Sequence, residues 1–155
     1  MNPSKIVLDN IIPENSALTV DSCNTVSHAL DLMDRYRCHA VGVTVNGFFA
    51  GLFTRSDFIK RVVRQDLDAG KVAVGSVMTM NPIVIAAGSD IKEAYYLMCC
   101  DNYSHLPVID GDKLLGIISE HDLRKDVAYD LKNTQKKNEI MESMFREPYG
   151  LCASY

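Results

Sequence analysis

The chain is short of positive charge: 16 Lys and Arg stand against 20 Asp and Glu, a net charge of −4. Electrostatic capture of DNA or RNA needs clustered Lys and Arg. The densest basic run, Lys132 to Lys137, is broken by Asn, Thr and Gln and reads as a solvated helix end or linker. No apolar stretch approaches the roughly 20 residues that a membrane span requires. Met1-Asn2-Pro3-Ser4-Lys5 lacks the apolar core of a secretory signal, so a cytoplasmic location is expected. Cysteine offers no disulfide framework: the five fall at 23, 38, 99, 100 and 152, an odd count that suits reduced thiols. Cys99-Cys100 is a candidate redox or metal pair, but in an apolar helical segment its residues read first as small buried groups.

Catalytic signatures are missing too. Nothing resembles a nucleophile with its base, a Walker-type phosphate loop or a dinucleotide glycine fingerprint. The histidines His28, His39, His105 and His121 are scattered, with no i, i+4 pair on a helix, so no metal site is expected.

What the chain does contain is itself, twice. Residues 18–58 lie on 83–123 at a constant offset of 65: Ala29 meets Ala94, Met33 meets Met98, Val43 meets Val108, Gly51 meets Gly116 and Asp57 meets Asp122. A repeated unit of this kind pairs with its copy to bury an apolar face, and 47% hydrophobic residues supply that face. Two copies about a pseudo-twofold axis also form two equivalent clefts.

Each copy carries the same local signals. A short strand comes first, 17–20 or 83–85. An amphipathic helix follows, with Val26, Ala29, Leu30 and Met33, or Ile91, Ala94, Tyr95 and Met98, at helical spacing. The first helix is expected from Thr25 to about Arg37, and Asp90 and Glu93 stand as N-cap and N3 of the second. Two apolar strands then flank Asn46-Gly47, a strong hairpin signal, or Asp110-Gly111-Asp112, which reads as a turn one residue longer. A last helix starts at Thr54 or Ser119 and presents Phe58, Ile59, Val62, Val63 and Leu67, or Leu123, Val127, Ala128 and Leu131. Gly70 is the expected helix stop, and Asn81-Pro82 forces an extended entry into the second copy. The predicted fold is α/β (α+β): two pseudo-twofold-related β-α-β-β-α repeats packed sheet to sheet, over 5–68 and 69–131, with a tail at 132–155.

The strand-to-helix corners are the most informative motifs: Gly51-Leu52-Phe53-Thr54-Arg55-Ser56-Asp57 and Gly116-Ile117-Ile118-Ser119-Glu120-His121-Asp122. Thr54-x-x-Asp57 and Ser119-x-x-Asp122 each fit a helix capping box. They also fit a ligand site, since hydroxyls and helix N–H groups suit a phosphate and a carboxylate accepts from ribose hydroxyls. With Val77-Met78-Thr79-x-Asn81-Pro82 and Ser104-His105-Leu106-Pro107-Val108-Ile109-Asp110, the corners make the chain resemble a stand-alone tandem CBS-domain pair, named after cystathionine β-synthase.

The resemblance implies a cross-wiring in which the Asp of one copy binds ribose and the other copy encloses adenine. Pocket A would join Leu52, Thr54, Arg55, Ser56 and Asp57 to Met78, Ile83, Ser104 and His105. Pocket B would join Ile117, Ser119, His121 and Asp122 to Pro13, Leu18 and His39. Thr54-Arg55-Ser56 suits an anion better than Ser119-Glu120-His121, so pocket A is the expected stronger site, and Glu120 weakens pocket B if it points inward. Copy one has Gly42 where copy two has Pro107, which leaves the entrance near His39 less constrained.

The resulting expectation is a non-enzymatic regulatory module that senses energy state through an adenosyl effector: AMP, ADP, ATP, NAD or S-adenosylmethionine. It would be a homodimer through its helices, regulating a protein partner that the sequence does not name. A ligand-independent dimerisation scaffold with vestigial clefts is the alternative, and turnover of the bound ligand a third reading. In the tail, Ile140, Met141, Met144 and Phe145 recur at helical spacing and predict an amphipathic turn or two that packs on the module or its dimer mate.

Overall fold

The computed structural model describes residues 12–13, 16–100 and 103–124. The readings made for the Cys99 and Cys100 side chains, for Val127 to Leu131 and for the tail lie outside the described residues. Two sheets form, one for each copy. The first has the order β1 (Thr19–Asp21), β2 (Ala40–Val45), β3 (Phe48–Thr54), β4 (Thr79–Met80). The second has the order β5 (Ile85–Ala86), β6 (His105–Asp110), β7 (Lys113–Ser119). In both, the entering strand pairs parallel with the next and the hairpin is antiparallel. A parallel pair needs a helical crossover, supplied by α1 (Val26–Arg35) and α3 (Ile91–Cys100). The α+β architecture expected from the repeat is the one observed.

Period-2 geometry explains why the hairpin strands are apolar on both faces. Val41, Val43 and Phe53 turn to the first helical layer and join Val26, Ala29 and Met33 of α1. Ala40 and Leu52 turn the other way, where they meet Ile117 and Leu114 of β7. The second core repeats the pattern, with Leu106, Val108 and Ile118 against Ile91, Ala94, Met98 and Leu123. The small cluster of Ala40, Leu52, Ile117 and Leu114 is therefore the seam between the sheets.

The Asn46-Gly47 turn has both residues at positive φ, 51° and 82°, as a type I′ hairpin requires. The second turn is not longer, because Asp110 pairs with Lys113 just as Val45 pairs with Phe48. Both hairpins carry a bulge at matched places, opposite Val43/Thr44 and Val108/Ile109. β4 was not anticipated. It docks because Gly51 lacks a side chain: a Cβ there would collide with Met78 Sδ and lie 2.9 Å from the Thr79 carbonyl. Gly116 makes the same room for Ile12 and Ser16.

The helical segment after Thr54 is α-helical at Arg55–Asp57 (α2), continues as a π turn over Phe58–Val62 and ends in a 3₁₀ turn at Val63–Gln65. It stops at Asp66 in the left-handed region (φ 53°), four residues short of the Gly70 expected to end it. Leu67 N–H donates to Val62 and Asp66 N–H to Val63, which satisfies the terminal carbonyls without glycine. Gly70 instead gives its N–H to the Asp68 carboxylate.

Candidate functional site

Both corners fold as the capping-box reading requires. Asp57 Oδ2 accepts from Thr54 N–H at 3.0 Å and Thr54 Oγ1–H at 2.7 Å, while Asp57 N–H donates back to the hydroxyl at 3.2 Å. Asp122 Oδ2 accepts from Ser119 N–H at 2.9 Å and Ser119 Oγ–H at 2.6 Å. In each corner one carboxylate oxygen is spent on the cap.

The second oxygen distinguishes them. Asp57 Oδ1 accepts from Thr79 Oγ1 at 3.3 Å and pairs with Arg61 Nε at 3.5 Å, and Asp57 is buried at 8% exposure. Arg61 also donates to the carbonyls of Val77 and Met78 and to Thr79 Oγ1. The guanidinium thus spans from the first corner to the linker. Asp122 is only half-buried, and its Oδ1 has no partner among the described residues. The offset of 65 places Asp126 at the position equivalent to Arg61, so the second copy has no cation there in its sequence.

A cleft of about 360 Å³ opens at the second corner, lined by Ile117, Ser119, His121 and Asp122 of one repeat and by His39, Ala40, Cys38, Arg37 and Tyr36 of the other. Pro13, Ser16 and His105 complete its wall. Most of the residues grouped as pocket B therefore converge. Leu18 instead packs against the first core. His105, grouped with pocket A, lines this cleft. Its ring meets that of His39 edge-on, with centroids 6.4 Å apart. Of the other pocket A residues, Leu52 lies in the inter-sheet seam, Met78 is buried on the first core, and Arg55, Ser56, Ile83 and Ser104 are exposed. Glu120 does not line the cleft and pairs with Arg124 one turn on. The condition under which it would repel an anion is not met.

Burial and the nearby His39 hold His105 below the ordinary imidazole range, with Asp122 and Asp57 pulling the other way. Its Nδ1 is 3.0 Å from Ser104 Oγ. Burial pushes the Cys38 thiol up, so it stays uncharged at neutral pH and is a wall rather than a nucleophile. Ser16 Oγ is buried and finds no partner among the described residues, an unspent hydroxyl on the cleft wall.

Tyr36, Arg37, Cys38 and Ser16 escaped the sequence reading. The first three follow from how α1 ends: Cys38 N–H donates to Met33 and Arg37 N–H to Asp34, with Arg37 at φ 52°. This is a Schellman closure, in which the residue two past the cap meets the helix's last inward residue. The apolar spacing Met33–Cys38 was its available signal.

The CBS-domain sequence family matches residues 12–64 and 74–129, which takes in both corners and the Val77-to-Pro82 motif. The chain belongs to the CBS-domain family. This CBS pair is 36% identical over 106 residues to the CBS domain-containing protein CBSCBSPB5 of Arabidopsis thaliana, covering 68% of this chain and 19% of that one. It is 29% identical over 105 residues to the CBS domain-containing protein YhcV of Bacillus subtilis, covering 68% and 74%. A putative signal-transduction protein with CBS domains from Burkholderia ambifaria superposes with a TM-score of 0.74 at 30% identity, covering 81% and 96%. The chain spans about a fifth of the length of the Arabidopsis relative. CBS pairs are regulatory modules. Among the described residues no helix is long and apolar enough to cross a membrane, and no three His, Cys, Asp or Glu side chains gather as metal ligands.

Proposed function

We propose that this CBS pair is a non-catalytic effector module that binds an adenosyl ligand in the cleft at Asp122. The observation that carries the reading is the convergence of both repeats on one open cleft with an unspent carboxylate oxygen in it. Its volume lies at the small end of the range for ligand clefts. Asp122 Oδ1, without a partner among the described residues, can accept from ribose hydroxyls, and His39 and His105 line the same space. Ile117 and Ala40 supply an apolar floor of the kind a purine face needs. The first corner, ranked first on sequence, becomes the secondary site, because Arg61 already occupies the oxygen of Asp57 that a ribose would use. Since the cleft draws on both repeats, occupancy would bias how the two halves sit and pass that bias to a protein partner.

Homodimerisation is part of the proposal. Ile59 and Val63, one turn apart on the 55–65 segment, are 55% and 54% exposed, and Leu67 beyond them is 40% exposed. Such a stripe fits a second copy of the module. Isothermal calorimetry against AMP, ADP, ATP, NAD and S-adenosylmethionine tests the function. At least one is expected to bind, with affinity lost in Asp122→Ala. A flat panel, or binding indifferent to Asp122, would leave the ligand-independent scaffold as the better account.

A further inference from the structure

The αL slot that ends α1 points to the charge of the ligand. Positive φ is disfavoured for a side chain with a Cβ, least for Asn and Asp. Among the described residues, the positive-φ positions are Gly47, Gly88, Gly111, Asn46, Asp66, Asn81 and Arg37. Arg37 is thus the one that is neither Gly, Asn nor Asp. At the equivalent position 65 residues on, the second copy has Asn102, a residue type suited to that backbone. A long cation is kept in one copy where local geometry favours a short residue.

Its surroundings say what it is for. Arg37 lines the Asp122 cleft, and no ion pair or side-chain hydrogen bond engages its guanidinium among the described residues. Asp122 is the single carboxylate among the lining residues, and Glu120 is turned to Arg124. The same cleft is lined by His39, His105 and His121. A site with one carboxylate for a diol and a planar guanidinium fork apart from it is dressed for a ligand carrying both a ribose and a phosphate. A bound sulfonium would instead face the cation.

We infer that Arg37 is a specificity-determining residue that makes the cleft select a nucleoside 5′-phosphate over an uncharged nucleoside or a cationic adenosyl sulfonium. This rests on the adenosyl reading of the same cleft. A purely structural role, in which the cation offsets the negative end of α1, is the competing account.

Calorimetry and thermal unfolding of the full chain separate them, with adenosine, AMP and S-adenosylmethionine as probes and Arg37→Gly and Arg37→Lys as variants. Wild type is expected to bind AMP at least about tenfold tighter than adenosine or S-adenosylmethionine. Arg37→Gly relaxes the αL backbone, so it should unfold at the same or a higher temperature while its AMP affinity falls to that for adenosine. Arg37→Lys keeps a charge but not the fork, and should recover only part of the preference. Equal binding of AMP and adenosine, tighter binding of S-adenosylmethionine, or an unchanged AMP preference in Arg37→Gly overturns the inference and leaves the adenosyl reading standing. Absence of binding by all three probes overturns the inference, and the adenosyl reading falls with it if ADP, ATP and NAD also fail to bind.

Discussion

Replacing each corner aspartate by alanine should separate folding from binding, because the two carboxylates do different work. Asp57→Ala removes the N3 half of the capping box, the acceptor of the Thr54 N–H and hydroxyl, worth about 1 kcal/mol. It also removes the acceptor of the Thr79 hydroxyl in a buried site, about 1.5 kcal/mol for a bond to a charged group. The Arg61 pair adds only about 0.5 kcal/mol, since the arginine side chain is 40% exposed and solvent screens it. Together the loss is about 3 kcal/mol, which at about 3 °C per kcal/mol for a chain of this size lowers Tm by about 9 °C. Asp122→Ala forfeits only the bonds from Ser119 N–H and Oγ–H to its carboxylate and should cost about 1 kcal/mol, or about 3 °C. Ligand affinity should follow the opposite order: Asp122→Ala loses at least about tenfold for AMP, and Asp57→Ala stays within about threefold. Differential scanning fluorimetry and calorimetry on the same preparations give both readings. If Asp57→Ala abolished AMP binding while Asp122→Ala spared it, the argument from the unspent Oδ1 would be wrong and the sequence ranking right.

Three further outcomes are expected. Acid should destabilise the module through His105: its folded value lies below the ordinary 6.5, so the unfolded chain takes up the proton first. The stability this residue contributes is complete above 6.5 and declines as pH falls through the folded value, and His105→Gln should flatten the Tm difference between about pH 7.5 and about pH 5.5. Gly51→Ala would drive a methyl against Met78 and the Thr79 backbone, so urea unfolding should show a loss of about 1–3 kcal/mol with β4 displaced. Arg61→Ala should release Asp57 and allow a second equivalent of AMP to bind, read as a change in calorimetric stoichiometry from one site to two; unchanged stoichiometry would show that Arg61 is not what closes the first corner.

Much of this architecture was legible in the sequence because it is made of signals that act over a few residues. The Asn46-Gly47 turn needs only its own backbone angles. The two capping boxes close across three residues, and the helical stripes of Val26, Ala29 and Met33 and of Ile91, Ala94 and Met98 are read by spacing alone. Helix ends were less legible. Arg37 and Asp66 stop their helices in the left-handed region through bonds from Cys38 and Leu67 back across five residues, and no glycine marks either place.

The sequence by itself determined the repeat, its strand and helix order, and the corners where chemistry is concentrated, since each follows from local periodicity or a short hydrogen-bonded motif. Only the tertiary structure decided which corner keeps a carboxylate oxygen unpaired among the described residues. That choice lies in where two charged side chains go: Arg61 reaches Asp57 and the linker at Thr79, and Glu120 turns to Arg124. Packing of one copy on the other then brings His39 and Arg37 to the Asp122 side. Composition at the corners favoured the first, but a carboxylate already paired with its own chain's cation has less to offer a ligand than one left half-open to a cleft.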